Sequence, residues 1–501
     1  MAAYNRPMHA AKHHRHLYTV EQVRALDRRA IDELGMTGFE LMSRAAAAAF
    51  AHLCRHWPQA RHIAVFCGPG NNGGDGYLLA SLAHDAGMMV EVVELSDEPH
   101  GDAARARDAW QRHGASTRRW QPDTTLPRAD TYVDALYGTG LNRAPEAAIA
   151  DLIECINASA TPVLALDVPS GLNADTGHCP GVAIRAALTV SFIAAKRGAH
   201  TGQAASKVGV LQLDTLGLPD VLWQNVHADA SLLEPSCLPP RERDAHKGDA
   251  GHVLAIGGDH GTAGAIRLCG EAALRGGAGL VSVATRIENL MALNAARPEL
   301  MAHGVHGPQE LQALLDRADV LAVGPGLGQG AWGHALWLTA LDSGKPLVLD
   351  ADGLNLLARE PRRFAAPAVL TPHPGEAARL LGKTIADVQW DRFASARALA
   401  QRYGAVVVLK GAGSLIADPN GRLDVCIWGN PGMASGGMGD LLTGVIAALL
   451  AQGCSAWDAA RMGVGLHARA GDIAARNGER GLLASDLLEP LRALSNGIER
   501  D

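Results

Sequence analysis

Residues 430–440 read N-P-G-M-A-S-G-G-M-G-D, with four glycines between Gly432 and Gly439 and no bulky polar side chain among them. Backbone N–H groups in such a loop can approach a ligand closely. A β-like run, 423–427, precedes it, and an apolar helical run, 441–451, follows. Strand, glycine loop and helix together make an anion site, because the helix adds the positive end of its dipole. Asp440 is the odd residue, since a carboxylate beside a bound phosphate is repelled. Proton transfer with a substrate hydroxyl is a chemistry that needs it there. Helix capping is the other reading.

The first half repeats the pattern. A β-rich run, 62–67, ends in G-P-G-N-N-G-G-D-G, and 77–86 reads as a helix. Gly68, Gly70 and Gly73 satisfy G-x-G-x-x-G, and Glu91 and Glu94 follow at about the distance a dinucleotide fingerprint wants. Two features oppose that reading. Helical runs at 18–34 and 39–57 precede the first strand, whereas the fingerprint usually opens its βαβ unit. Asp75 also falls where a pyrophosphate would sit. Asn71, Asn72 and Asp75 look instead like oxygen groups for a substrate or a cation. Two more apolar runs end in polar turns. Run 131–136 carries Asp134 and leads into Tyr137 to Arg143; run 161–166 leads into Asp167, Val168, Pro169, Ser170 and Gly171. Polar residues at the carboxyl ends of successive parallel strands are where open α/β sheets bind ligands.

In this order, G-P-G-N-N-G-G-D-G, V-D-A-L-Y-G-T-G-L and L-D-V-P-S-G-L resemble the YjeF N-terminal family, the NAD(P)H-hydrate epimerase domain, over residues 17–226. The resemblance implies a Rossmann-like three-layer α/β/α domain. It implies potassium on Asn72, Asp134 and Ser170, all oxygen donors of the kind a hard cation takes. It implies a substrate set of Asn71, Asn72, Gly73, Gly74, Asp75, Gly138, Thr139, Gly140, Leu141, Asn142, Arg143, Ala144 and Asp167, with Asp167 also catalytic.

In the second half the alternation of strand, polar turn and helix continues, which argues a mostly parallel sheet covered by helices. The turns hold Gly257 to Thr262, Gly324 to Gly328, Asp350-Ala351-Asp352, Thr371 to Glu376 and Lys410 to Ser414. His373 stands between two prolines, so its backbone is stiff. Lys410, after V-V-V-L and before glycine, is placed to meet a phosphate. K-G-D-A-G-H-V-L-A-I-G-G, G-P-G-L-G, T-P-H-P-G-E, L-K-G-A-G-S and N-P-G-M-A-S-G-G-M-G-D resemble the YjeF C-terminal family over residues 235–499. That family is the ADP-dependent NAD(P)H-hydrate dehydratase, a relative of ribokinase-like kinases. The resemblance implies that Ala265, Gly326, His373 and Asp440 contact the hydrated nucleotide, with Asp440 catalytic. Lys410, Gly411, Ala412, Gly413, Ser414 and Gly439 would bind ADP, and magnesium would sit on the phosphates. Ser414 stands where many relatives have threonine, and it keeps the hydroxyl. The halves together resemble the bifunctional repair family, which interconverts the R and S hydrates of NADH and NADPH (NADHX and NADPHX) and dehydrates the S form, turning ADP into AMP and phosphate. The alternative is a small-molecule kinase of a vitamin or sugar alcohol carrying a non-catalytic N-terminal binding module.

Length and composition suit this division. The 501 residues allow two large α/β units, and 48% hydrophobic against 19% charged residues fits a globular chain. A net charge of −7 with interspersed signs builds no basic face for nucleic acid. The eight scattered cysteines contain no C-x-x-C pair, which suggests reduced thiols, a cytoplasmic protein and no zinc site. No uncharged run of 18 apolar residues is present, so no membrane span is expected. Residues 1–16 hold His9, His13, His14 and His16 but no apolar signal core, and read as a disordered leader. Pro235, Pro239 and Pro240 mark a linker over 229–243, between an epimerase domain at 17–228 and a dehydratase domain at 244–501. A homo-oligomer is expected, with the family suggesting a tetramer.

Overall fold

The computed structural model describes residues 12–95, 99–115, 117–121, 124–140 and 143–498. Of the expected site residues, Leu141 and Asn142 lie outside the described residues, as do 1–11 of the expected leader. The rest of that leader forms a turn of 3-10 helix, Lys12–Arg15, and the first residue of a strand. The chain divides into two compact units, Met1–Ser231 and Leu232–Asp501.

The strands of the first unit are β1 His16–Tyr18, β2 His62–Cys67, β3 Met89–Glu94, β4 Thr117–Arg119, β5 Thr131–Ala135, β6 Val163–Leu166, β7 Leu188–Phe192, β8 Ala195–Lys196 and β9 Val210–Asp214, and β10 Ala230–Leu232 falls at the boundary between the units. Seven form one sheet in the order β4-β3-β2-β5-β6-β7-β9, parallel at every pairing. Side chains of a strand alternate between faces. In β2, Ile63, Val65 and Cys67 join one apolar cluster while Ala64 and Phe66 join another. Both faces are therefore covered, and the unit is a Rossmann-like α/β/α sandwich. The helix expected at 18–34 is Val20–Asp32, started by a capping box between Thr19 and Gln22. The next, Gly38–His56, is capped by Thr37.

One element differs from expectation. The helix placed at 77–86 begins at Asn71, so N-N-G-G-D-G is its first turns rather than a loop. Its glycines supply room. A Cβ on Gly73 would stand 1.9 Å from the Gly68 carbonyl oxygen, and one on Gly76 would stand 2.5 Å from the Ala135 Cβ. The helix can press its amino end against the ends of β2 and β5 only because those side chains are missing.

In the second unit the strands are β11 His252–Ile256, β12 Leu280–Thr285, β13 Met301–Gly304, β14 Val320–Val323, β15 Leu347–Leu349, β16 Ala368–Leu370, β17 Val406–Leu409, β18 Ser414–Ala417 and β19 Leu423–Cys426. They run in the order β13-β12-β11-β14-β15-β16-β17-β18-β19, parallel from β13 to β17 and antiparallel beyond. This is the ribokinase-like α/β arrangement expected from the sequence. Because β11, β14, β15, β16 and β17 are parallel neighbours, the polar turns that follow them line one edge. The helix Met438–Ala451 is buried along most of its length. It starts three residues before the expected position, so Gly439 and Asp440 belong to its first turn. Gly437, at φ +92°, turns the chain into it.

That helix lies against the helix Ala263–Arg275 at backbone distance. A Cβ on Gly444 would sit 2.0 Å from the Cys269 carbonyl oxygen. Gly444→Ala should therefore destabilise the second unit by about 1–3 kcal/mol or more. Gly264→Ala, in the partner helix and with nothing within 4 Å, should be neutral or stabilise by up to about 1 kcal/mol. Urea unfolding of the two variants checks the contrast.

Candidate functional site

In the first unit the turns after β2, β5 and β6 converge. Asp134, at the end of β5, is fully buried. Ser170 donates its hydroxyl to Asp134 Oδ1 at 2.6 Å and its N–H to Oδ2 at 2.8 Å, and the Leu136 N–H reaches Oδ1 at 3.2 Å. The Tyr137 N–H donates to the Ser170 hydroxyl at 2.9 Å, so the turns after β5 and β6 are tied together. Burial pushes the Asp134 carboxyl up to about 6 against the pull of those hydrogen bonds. Its partners are a hydroxyl and backbone N–H groups; none is a cation. Asn72 is brought to the same place, beside Gly138, whose Cβ would stand 3.5 Å from the Asn72 Oδ1. Both polar atoms of the Asn72 side chain are buried and have no hydrogen-bond partner among the described residues. A buried amide oxygen without a donor, next to a buried carboxylate without a cation, is a donor set that fits potassium.

A second constellation lies at Asp167, which holds φ +65° although it is not glycine. Lys196, 2% exposed, makes an ion pair with Asp167 Oδ1. The same ammonium donates to the Phe192 carbonyl at 2.7 Å and to the Ser191 hydroxyl at 3.2 Å. Asp75 and Asp27 face this pair. Burial raises Asp75 well above the usual carboxylate range, with Asp167 and Asp27 adding and Lys196 opposing. Burial likewise lifts Asp27 to about 6. Gly140 is near the Arg24 guanidinium, 4.0 Å from where its Cβ would be. Gly73 and Gly74 are buried, Asn71 is exposed at the helix start and Thr139 continues the turn after Gly138. Arg143 stands apart, exposed and paired with Glu146 at 3.5 Å, and Ala144 lies against Gly181. Glu94, the acid a dinucleotide fingerprint would offer to a ribose, is spoken for: Arg107 holds both its oxygens at 2.7 and 2.9 Å, and Tyr77 donates at 3.0 Å.

In the second unit the centre is Lys410, after β17. Its ammonium lies 2.8 Å from Asp350 Oδ1, after β15, and 4.0 Å from Glu376 Oε2. Thr443, one turn into the helix Met438–Ala451, donates to Asp350 Oδ2 at 2.9 Å. A Cβ on Gly439 would stand 3.1 Å from the Lys410 Nζ and 3.2 Å from Asp350 Oδ2. Glycine at 439 thus lets ammonium and carboxylate reach the positive end of the helix. Burial opposes ionisation of Asp350, but Lys410 and the bonds from Lys410, Thr443 and the Ala351 N–H hold it below the usual range. Burial opposes charge on Lys410 too, and Asp350 and Glu376 outweigh it, raising the ammonium. Glu376 goes up to about 7, by burial first and Asp350 second. Asp440 also goes up to about 7, for the same two reasons, with Lys410 opposing. Asp440 makes no cap, because the residue before the helix is Gly437 and has no side chain.

The remaining expected residues fall along the same edge. His373 caps the helix Pro374–Leu381 through Nδ1, and Glu376 accepts the His373 N–H at 2.8 Å. Burial first and the charge of Lys410 second hold the His373 imidazole below its ordinary range. Gly326, at φ +59°, gives its carbonyl to the Thr262 hydroxyl at 2.8 Å, and the Ala265 N–H bonds Thr262, so Ala265 and Gly326 are neighbours. Gly411, Ala412, Gly413 and Ser414 form the turn from β17 to β18, closed by the Ser414 hydroxyl on the Gly411 carbonyl at 2.9 Å. Buried Arg392 holds the carbonyls of Leu409 and Lys410 from behind.

Sequence reasoning missed Asp27 and Lys196 in the first unit and gave no role to Asp350, Glu376 and Arg392 in the second. A signal existed for two of them. Asp27 interrupts the buried stripe Val20, Val23, Leu26, Ala30, and Lys196 ends an unbroken buried run from β7.

The two halves of the chain resemble different known families. Residues 253–492 match the family described as NAD(P)H-hydrate dehydratase, and residues 38–198 match the YjeF-related protein N-terminus. The bifunctional NAD(P)H-hydrate repair enzyme Nnr of Coxiella burnetii is 48% identical over 96% of this chain and 99% of its own. That of Escherichia coli is 48% identical over 96% of this chain and 94% of its own. Among solved structures, the ADP/ATP-dependent NAD(P)H-hydrate dehydratase of Bacillus subtilis, co-crystallised with ATP and magnesium, aligns with 52% of this chain and 95% of its own at 29% identity and TM-score 0.48.

The raised Asp440 carboxyl has a consequence for stability. A carboxyl whose folded pKa, about 7, stands above its unfolded value of 3.8 favours folding while protonated. Its contribution is full below the unfolded value and is lost as pH rises through about 7. Asp440→Asn should therefore make the second unit more stable than the parent at about pH 8, by on the order of 2–4 kcal/mol. The difference should vanish by about pH 4. Denaturant unfolding at the two pH values measures it.

Proposed function

The chain belongs to the bifunctional NAD(P)H-hydrate repair enzymes, and we propose that each unit carries one of the two activities. Residues 17–228 epimerise the R and S hydrates of NADH and NADPH. Residues 244–501 dehydrate the S form with ADP, joined through 229–243. The observation that carries the dehydratase reading is the ammonium of Lys410 at the amino end of the helix that also bears Asp440.

The chemistry follows from the leaving group. Hydroxide leaves C6 of the hydrated ring poorly. Asp440 takes the hydroxyl proton as that oxygen attacks the terminal phosphorus of ADP, and AMP departs. The phosphorylated oxygen then leaves as phosphate, pushed by the lone pair on the ring nitrogen. Loss of a proton from C5 restores the 5,6 double bond. The N–H groups of Gly436, Gly437 and Gly439, with Lys410, hold the transferring phosphoryl oxygens. A carboxyl near neutrality suits the base, because it can both accept and return a proton at working pH. Lys410 to Ser414 and Gly439 bind ADP, and Ala265, Gly326, His373 and Asp440 contact the hydrate. Magnesium would neutralise the nucleotide phosphates, and the Glu376 carboxyl beside Lys410 is a hard oxygen donor that would help to hold it, the rest of its shell being water and phosphate. This reading is favoured over a vitamin or sugar-alcohol kinase because whole-chain relatives pair the same two halves.

In the epimerase unit Asn72, Asp134 and Ser170 would hold potassium, which supplies fixed positive charge between the turns. The substrate then lies along Asn71 to Asp75, Gly138 to Ala144 and Asp167. All eight cysteines are free, which supports a reducing compartment such as the cytoplasm. No helix of the described residues is long and apolar enough to cross a membrane. A homo-oligomer remains part of the proposal.

Mixed R and S hydrates with and without ADP, read by chromatography, test the division. The parent protein should form one AMP for each NADH. Asp440→Asn should lower NADH formation by about 10²–10⁴-fold while the hydrates still equilibrate. NADH formation without any nucleotide would contradict the mechanism. Loss of equilibration in Asp440→Asn would contradict the separation of the sites.

A further inference from the structure

Inversion at C6 needs two proton-handling groups, one for each face of the ring. Asp167 accounts for one, on the reading that the first unit is the epimerase. Its Oδ1 is committed to Lys196 and to the Phe192 N–H. Among the described residues Oδ2 accepts no hydrogen bond, so one carboxylate oxygen is held and the other is open. Lys196 is fastened on its far side by the Phe192 carbonyl and the Ser191 hydroxyl, so it cannot follow Asp167 if that side chain turns.

Asp27 is close enough to this pair for both charges to act on it, and it stands on the helix Val20–Asp32, which is fixed in place by the Val20 N–H on Asp175 at 2.7 Å. The same helix flanks the substrate turn, since Arg24 reaches Gly140. Asp27 comes three residues, nearly one helical turn, after Arg24 and so lies on the same side. It interrupts an otherwise buried apolar stripe, and among the described residues its carboxyl makes no hydrogen bond or ion pair. A half-buried carboxyl with no hydrogen-bond or ion-pair partner among the described residues, near enough to a buried lysine to feel its charge, has no structural purpose that an apolar residue would not serve better.

We propose that Asp27 is the second acid–base residue of epimerisation, opposite Asp167, and that Lys196 is the positioning residue that keeps the two carboxyls distinct. Asp27 gives its proton to the C6 hydroxyl. The C6–O bond breaks, water departs, and the ring-nitrogen lone pair forms a C6=N bond. Water adds to the other face and its proton passes to Asp167 Oδ2, while the electron pair of the C6=N bond returns to nitrogen. The reverse passage starts with the proton on Asp167. Two carboxyls in different surroundings, Asp167 held by a lysine and a backbone N–H and Asp27 by neither, are what such a cycle requires. The charged groups around Asp27 are Lys196, Asp167, Arg24 and Arg28, with Asp75 on the helix Asn71–Asp85. Burial raises Asp27 to about 6, and Lys196 opposes that rise.

The test uses the full chain, pure R hydrate and chromatographic detection of the S form across pH, with an unchanged thermal unfolding transition of the first unit as the control that this unit is folded and ADP-dependent conversion of pure S hydrate as the control for the second. Asp27→Asn should slow equilibration by about 10²-fold or more, leave both controls unchanged and remove the ionisation near pH 6 from the profile. Asp27→Glu should restore part of the rate and the ionisation. Lys196→Met should move that ionisation upward by at least about one pH unit, and Lys196→Arg should move it less. Equilibration by Asp27→Asn within about threefold of the parent, with the profile unchanged, would overturn the assignment. Failure of the parent protein itself to equilibrate the hydrates would overturn the epimerase reading beneath it.

Discussion

In each unit one lysine faces three carboxyls. Lys196 stands among Asp167, Asp75 and Asp27; Lys410 stands among Asp350, Glu376 and Asp440. A single ammonium cannot balance three negative charges in a place from which water is largely excluded. In the second unit Asp350 takes the lysine and stays ionised, and in both units the carboxyls left over are pushed toward protonation. The fold thereby produces a mobile proton near neutrality from residues that in water would carry none. Breaking either pair would leave a buried charge uncompensated, so the same contact also ties strand ends together.

The rest of the architecture serves that contact. Parallel strands deliver their turns to one edge, and covering both faces forces the polar residues there rather than elsewhere. Glycine then sets how near the helices come. At Gly439 the missing Cβ lets Lys410 and Asp350 touch the amino end of the helix, and at Gly73 it lets the helix carrying Asn72 and Asp75 close on the strand ends. These glycines supply close approach, and the helices that contain them begin earlier than their composition suggests.

Much of this was legible in the sequence. The strand-turn-helix alternation pointed to an α/β architecture in both halves, and the motifs singled out Asn72, Asp134, Asp167, Ser170, His373, Lys410 and Asp440, which the fold brings to the ends of its parallel strands. Helix starts were misplaced because glycine runs read as loops, while the close packing that makes them helical is a tertiary fact. Glu94 fitted a dinucleotide fingerprint by spacing, and only the structure shows Arg107 and Tyr77 occupying it. Asp27 and Lys196 were missed because they lie in no glycine turn. Asp350 and Glu376 sit in turns that were noticed, but their role depends on which neighbouring strand brings Lys410 beside them.

Charge shortage around a single lysine leaves a site carboxyl titrating near neutrality. Infrared difference spectroscopy on protein labelled with carbon-13 in its aspartate carboxyls measures this directly, because protonated and ionised carboxyls absorb separately. Titrated from about pH 5 to about pH 9, across the range where ordinary aspartates are already ionised, the protein should lose a protonated-aspartate band with a midpoint near the value of about 7 assigned to Asp440. That band should be missing from Asp440→Asn. Identical titrations of the parent and Asp440→Asn, with no aspartate changing near neutrality, would contradict the account.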